Sequence, residues 1–171
     1  SLPGLDNAVF SASLNADTVN IQDAAQEITF AWKSDEGVVV EKTYTFSPDS
    51  YLIGLDVTIK NGSDRSIQDK LFVALNSPAP TDKRMYGFEG PSALINEKLE
   101  EIKIKDITEK NTYTGKVTWI AVQDRYFMMS VIPDQIEDDA SLRLFLKDDD
   151  LLEAQYVGPN GDIRPGTQYT Y

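Results

Sequence analysis

Histidine and cysteine are both absent from this chain. That excludes a Ser-His-Asp triad, imidazole acid–base steps, His- or thiolate-ligated zinc and a disulfide framework within it. Carboxylate, lysine or tyrosine chemistry stays open, and carboxylates are abundant, with 28 acidic residues against 16 basic ones. Two clusters, Glu137-Asp138-Asp139 and Asp148-Asp149-Asp150, carry enough oxygen to interest a hard cation. Neither has the spaced aspartate loop with glycine and distal glutamate that holds calcium, so both are expected to be solvated turns. Paired carboxylates can cleave a glycosidic bond, but no spacing nominates a pair. No catalytic residue, cofactor or metal ligand is assigned. Asn61-Gly62-Ser63 matches a glycosylation acceptor; Asn-Gly between alternating runs is also a hairpin signal, and a turn is the expected reading.

The most apolar window is Thr118 to Pro133, TWIAVQDRYFMMSVIP. A membrane-spanning helix needs about 20 uninterrupted apolar residues, whereas here Gln123-Asp124-Arg125 breaks the run after four. No charged leader followed by an apolar segment precedes it, so the chain reads as soluble. After the break, Tyr126, Met128, Ser130 and Ile132 alternate with Phe127, Met129 and Val131, and both faces are mostly apolar. Such a strand is either covered on both sides or lines a groove with one of them. Trp119, Tyr126 and Phe127 are accordingly expected to fix the fold from the core, with an aromatic groove as the other reading.

The elements that must position this stretch are strands. In 51–60, Tyr51, Ile53, Leu55, Val57 and Ile59 share one face, and Leu52, Gly54, Asp56, Thr58 and Lys60 share the other. This is period-2 alternation. Ile28, Phe30 and Trp32 form a similar face, as do Val38, Val40, Tyr44 and Phe46 with Lys42 among them. Ser34–Gly37, Ser47–Ser50 and Asn61–Asp64 supply turn residues between them, so 27–76 is expected to be a four-stranded meander. Residues 77–91, with Pro78, Pro80, Gly87, Gly90 and Pro91, suggest a long loop. Residues 97–101 suit a helical turn, and Ile102 and Ile104 start a strand. The opening stretch gives two strands joined at 123–125, and Leu142, Leu144 and Leu146 alternate along another. Strand Leu151–Val157, a tight turn at 158–162 and a last strand at 167–171 complete the pattern. Residues 1–26 are weakly patterned.

The class is therefore all-β: a large two-sheet sandwich with at most one short helix, and 1–171 as one domain. The start at Ser1 and the end at Tyr171 within an alternating run suggest a fragment of a longer protein. A net charge of −12 sets a field that repels phosphate backbones and argues against nucleic acid as a partner.

Gly115, Trp119, Ile120, Ala121, Tyr126, Phe127, Ile132 and Pro133 fall at the spacing G-x-x-x-W-[VI]-A-x-x-x-x-Y-F followed by I-P. The block resembles a signature of the large periplasmic domain of bacterial YidC-type membrane protein insertases. Segment 41–53, EKTYTFSPDSYLI, is similar to that family's hairpin, and Pro165-Gly166 to its P-G element. The resemblance implies a supersandwich similar to galactose mutarotase, at the periplasmic face of the bacterial inner membrane, without catalysis of its own. It also implies partners: the Sec translocon, its SecDF accessory subunits and nascent membrane proteins. The mutarotase likeness raises a rival, a carbohydrate-binding module related to aldose epimerases. Those enzymes resemble one another in using a histidine, which this chain lacks.

Overall fold

The computed structural model describes residues 2–80, 87–147 and 150–171. Its chain gathers into two compact units, Ser1–Asp69 with Gly161–Tyr171, and Lys70–Asn160. Strands dominate both, with 3-10 turns at Leu5–Asn7 and Ile104–Asp106 as the helical elements of the described residues.

The first unit is built on a five-stranded sheet. Its strands are β1 (Ser11–Ala12), β2 (Gln26–Lys33), β3 (Val38–Phe46), β4 (Ile53–Asn61) and a late strand, Gln168–Thr170, which pairs antiparallel to β4. Alternation sets the register: Trp32 lies opposite Val40 and Val40 opposite Ile59, so apolar side chains of three strands share one face. The β2–β3 hairpin closes through Ser34, whose backbone N–H bonds Val38 O at 2.8 Å while its hydroxyl accepts from Val38 N at 3.0 Å. Gly37 and Gly62 approach backbone to backbone there, and a Cβ on Gly62 would lie 2.5 Å from Gly37 O. Only glycine fits.

Asn61 anchors the exit from β4. It is 1% exposed, and its amide nitrogen donates to Arg65 O and Ile163 O, both at 2.8 Å, while its Oδ1 accepts from Ser63 N and Oγ. Every hydrogen-bonding position of a buried amide is filled, as burial requires. A turn follows, but not a hairpin. β5 (Ile67–Pro78) leaves for a different sheet, so the expected four-stranded meander has three strands, β2 to β4.

The second unit is a sandwich of two four-stranded sheets. One orders β10 (Met128–Val131), β9 (Val117–Gln123), β6 (Gly90–Ile95) and β7 (Lys98–Glu101); the other orders β5, β12 (Leu151–Ile163), β11 (Ala140–Lys147) and β8 (Thr112–Gly115). The unit boundaries fall inside β5 and β12. The late strand of the first unit, Gln168–Thr170, is β13. Ala93, Ile95, Val117, Ile120 and Val122 from the first sheet meet Leu142, Leu144, Leu152, Ala154 and Tyr156 from the second in one core. Each fully buried leucine or isoleucine there stabilises the fold by about 1.5–3 kcal/mol. The strand of Leu142, Leu144 and Leu146 is β11, and its first two leucines are fully buried.

Several local expectations are corrected. Residues 97–101 form no helical turn: Asn96 and Glu97 take positive φ values of 51° and 63°, and β6 folds back onto β7. This is the backbone of a two-residue hairpin turn, and the apolar spacing there came from a hairpin. Ile104 begins a 3-10 turn, not a strand. The glycines at 158–162 make no turn, because β12 runs through them. At Gly161 the role is close approach, since a Cβ there would collide with the Tyr171 hydroxyl. The chain reverses instead at Arg164–Thr167, with Thr167 N bonding Arg164 O at 3.1 Å. Pro165 and Gly166 occupy its centre, Gly166 at φ 74°, which is the type II requirement. The expected loop at 77–91 is shorter at both ends, since Ser77 and Pro78 close β5 and Gly90 and Pro91 open β6; part of it lies outside the described residues.

Candidate docking surface

The signature stretch divides at its polar break. Its first half is β9, paired on both sides by β10 and β6, with Val117, Ile120, Ala121 and Val122 buried. Gly115, just before it, takes φ 148°, and a Cβ on it would run into the Asn96 carboxamide. That carboxamide accepts from Lys116 N at 3.0 Å while Asn96 N donates to Lys116 O at 3.0 Å. The glycine of the signature thus makes room for an asparagine that locks two hairpins together. Trp119 lies opposite Leu94 and is half-buried.

Beyond the break the burial reverses. Asp124 folds the tip: its Oδ1 accepts from Tyr126 N at 2.7 Å and Phe127 N at 2.8 Å, and its own N–H bonds Phe127 O at 2.9 Å. This is the local capping that aspartate favours in turns. The two N–H groups hold its carboxyl below the usual aspartate range. Tyr126 and Phe127 project outward, 75% and 77% exposed, so they do not fix the fold from the core as expected. They line a shallow groove of about 280 Å³ with Phe88, Gln123, Arg125 and Met128. The reason is topological, because the strand they lead into is the outermost of its sheet.

Apolar exposure continues along the chain. Met128, Met129, Ile132 and Ile136 are each about half exposed or more, so six large apolar side chains between 126 and 136 face solvent. Pro133 is half-buried among them. Ile132 and Pro133 belong to the expected signature, whereas Ile136 lies outside it. A second exposed group, Tyr51, Leu52 and Ile53, stands at the start of β4 in the first unit. Pro165 and Gly166 belong to the turn before β13 in that unit.

Among the described residues no group of three or more acidic side chains could hold a metal ion. Asp138 in the 137–139 cluster is exposed and pairs with Lys116 Nζ at 3.3 Å; the 148–150 cluster lies mostly outside the described residues. The Asn61 amide of the glycosylation match is buried and fully engaged. No helix among the described residues is long and apolar enough to cross a membrane.

The fold is that of a galactose-mutarotase-like β-sandwich. A galactose mutarotase related enzyme from Lactobacillus acidophilus superposes with a TM-score of 0.60 over 96% of this chain and 69% of its own, at 11% identity. That likeness concerns the fold alone. A family model described as the YidC periplasmic domain matches residues 1–171, and the chain belongs to that family. Relatives named membrane protein insertase YidC include one from Geobacter sulfurreducens, 32% identical over 75% of this chain and 25% of its own length. Another, from Vesicomyosocius okutanii, is 27% identical over 84% of this chain and 27% of its own. One from Rickettsia felis is 26% identical over 98% of this chain and 32% of its own. The chain spans about a quarter to a third of these relatives.

Proposed function

We propose that this chain is the non-catalytic periplasmic part of an inner-membrane insertase, and that it works by docking other chains. The observation that carries the reading is the match of the whole chain to the periplasmic-domain family. The apolar residues around the β9–β10 tip support it, because contiguous exposed apolar surface marks interaction sites on soluble folds. Its partners on this reading are the Sec translocon, SecDF accessory subunits and nascent membrane proteins, met at the periplasmic face of the inner membrane. Among the described residues, no side-chain arrangement on the mutarotase-like fold favours the carbohydrate-binding alternative.

The test is site-specific photocrosslinking from position 127 in the membrane-embedded parent protein. Adducts with Sec subunits, SecDF or a nascent membrane protein are expected, identified by mass. Adducts with none of these, from a crosslinker shown to be active, would remove the docking role. Calorimetric titration of galactose into the chain is expected to give no saturable heat.

A further inference from the structure

The docking reading can be sharpened to one strand and one kind of ligand. β10 is the outer strand of its sheet, and its register on β9 fixes which groups face outward. Asp124 N bonds Phe127 O, and Met128 stands opposite Gln123, Met129 opposite Val122 and Ser130 opposite Ala121. In an antiparallel ladder, hydrogen-bonded and non-bonded pairs alternate. Pairs 124/127 and 122/129 therefore bond inward, while the N–H and C=O groups of Met128 and Ser130 point to the open side.

Other edges are blunted. β7 carries Lys98, Glu100 and Glu101, β5 carries Asp69, Lys70 and Pro78, and β1 is two residues long. Charge, proline and shortness are the usual means of preventing a strand from being added. β8 and β13 are largely polar, TYTG and QYT. β10, Met-Met-Ser-Val, has no charge and no proline. Methionine also adapts its shape to varied partners.

The charge around this edge selects the ligand. From 124 to 139 the chain carries Asp124, Asp134, Glu137, Asp138 and Asp139 against Arg125, with Asp138 paired to Lys116 from outside that span, so acids still outnumber bases five to two. We propose that β10 takes up an extended peptide segment as an added strand, and that the segment is apolar in its middle and flanked by lysine or arginine. This rests on the docking function proposed above. A second copy of the chain is a poorer occupant, since each copy brings a net charge of −12. An anionic lipid surface is repelled for the same reason.

The probe is a ten-residue peptide with two lysines at each end around alternating Val and Thr, titrated into the 15N-labelled chain. Binding is expected to shift resonances of 126–131 and to slow exchange of the Met128 and Ser130 amides. Replacing the four lysines by glutamates should weaken binding by about tenfold or more. Ser130→Pro, which removes an outward N–H, should abolish binding while the fold persists, as proline is tolerated on an edge. Met128→Lys leaves the backbone intact and should also weaken the lysine-flanked peptide, so the proposal stays testable should the proline variant fail to fold. Equal affinity for both peptides, shifts confined to other strands, or perturbation of Tyr126 and Phe127 by phosphatidylcholine vesicles alone would each overturn it. Failure here with successful crosslinking to Sec subunits would remove the β10 strand-addition mode and leave the docking function standing.

Discussion

The sheet of β6, β7, β9 and β10 has two edges of opposite character. β7 presents Lys98, Glu100 and Glu101, with Lys98 Nζ bonded to Glu100 Oε1 at 2.8 Å. That carboxylate raises the lysine's pKa, first by hydrogen bonding and then by its charge. β10, at the other end, presents methionines. The two share the same interior strands, so packing does not explain the difference. It lies in what each edge is allowed to meet: one refuses a further strand, and the other is left able to accept it.

Four substitutions or titrations would break or sharpen that contrast. The largest effect is expected from Ile120→Ala, in the strand that carries β10, where a fully buried side chain would leave a cavity costing about 2–5 kcal/mol. Urea unfolding measures it, and a loss under about 1 kcal/mol would mean β9 does not hold this core. Trp119→Ala should cost less, about 1–2 kcal/mol, because the ring is only half-buried and sits on the face away from Ile120. A larger loss would return Trp119 to the role of core anchor.

Changing the guarded edge is the direct test. Glu100→Val removes a charge and the partner of Lys98, and is expected to raise self-association, read as concentration-dependent sedimentation, with stability changed by about 0.5 kcal/mol or less. Unchanged sedimentation would show that charge on β7 is not what guards it.

Acidification probes the open edge with the smallest expected effect. Asp124 is depressed by the N–H groups of Tyr126 and Phe127. Its contribution is therefore present above its ordinary value of 3.8 and lost as pH falls through the lower folded value. Amide shifts of Tyr126 and Phe127 should titrate together there, and independent titration would separate the tip from its aspartate.

How much of this was legible in the sequence depended on what alternation can record. Period-2 patterning marks which residues share a face, and it placed β2, β3, β4 and β11 because each has one largely apolar face, while β9 and β10 came from the apolar window on either side of 123–125. It says nothing of whether a face or an edge is covered. Tyr126, Phe127 and Met129 therefore read like core residues although they project to solvent, and the departure of β5 to another sheet was invisible for the same reason. Turn residues misled near the end of the chain: the turn expected at 158–162 falls instead at Arg164–Thr167, around Pro165-Gly166, while Gly161 in β12 gives way to the Tyr171 hydroxyl. The hairpin at Asn96-Glu97 was missed because neither central residue is glycine.

The Asn61-Gly62 step carries a chemical consequence. In a free chain, an asparagine before glycine loses its amide readily, as the next backbone nitrogen attacks the side chain to close a succinimide ring. Here the amide donates to two carbonyls and Gly62 is pressed against Gly37, so ring closure must wait for that corner to open. Slow conversion to aspartate at Asn61, followed by peptide mapping that separates it from the second Asn-Gly step at 160–161 over weeks of storage, would act as a built-in clock for how often the exit from β4 comes apart.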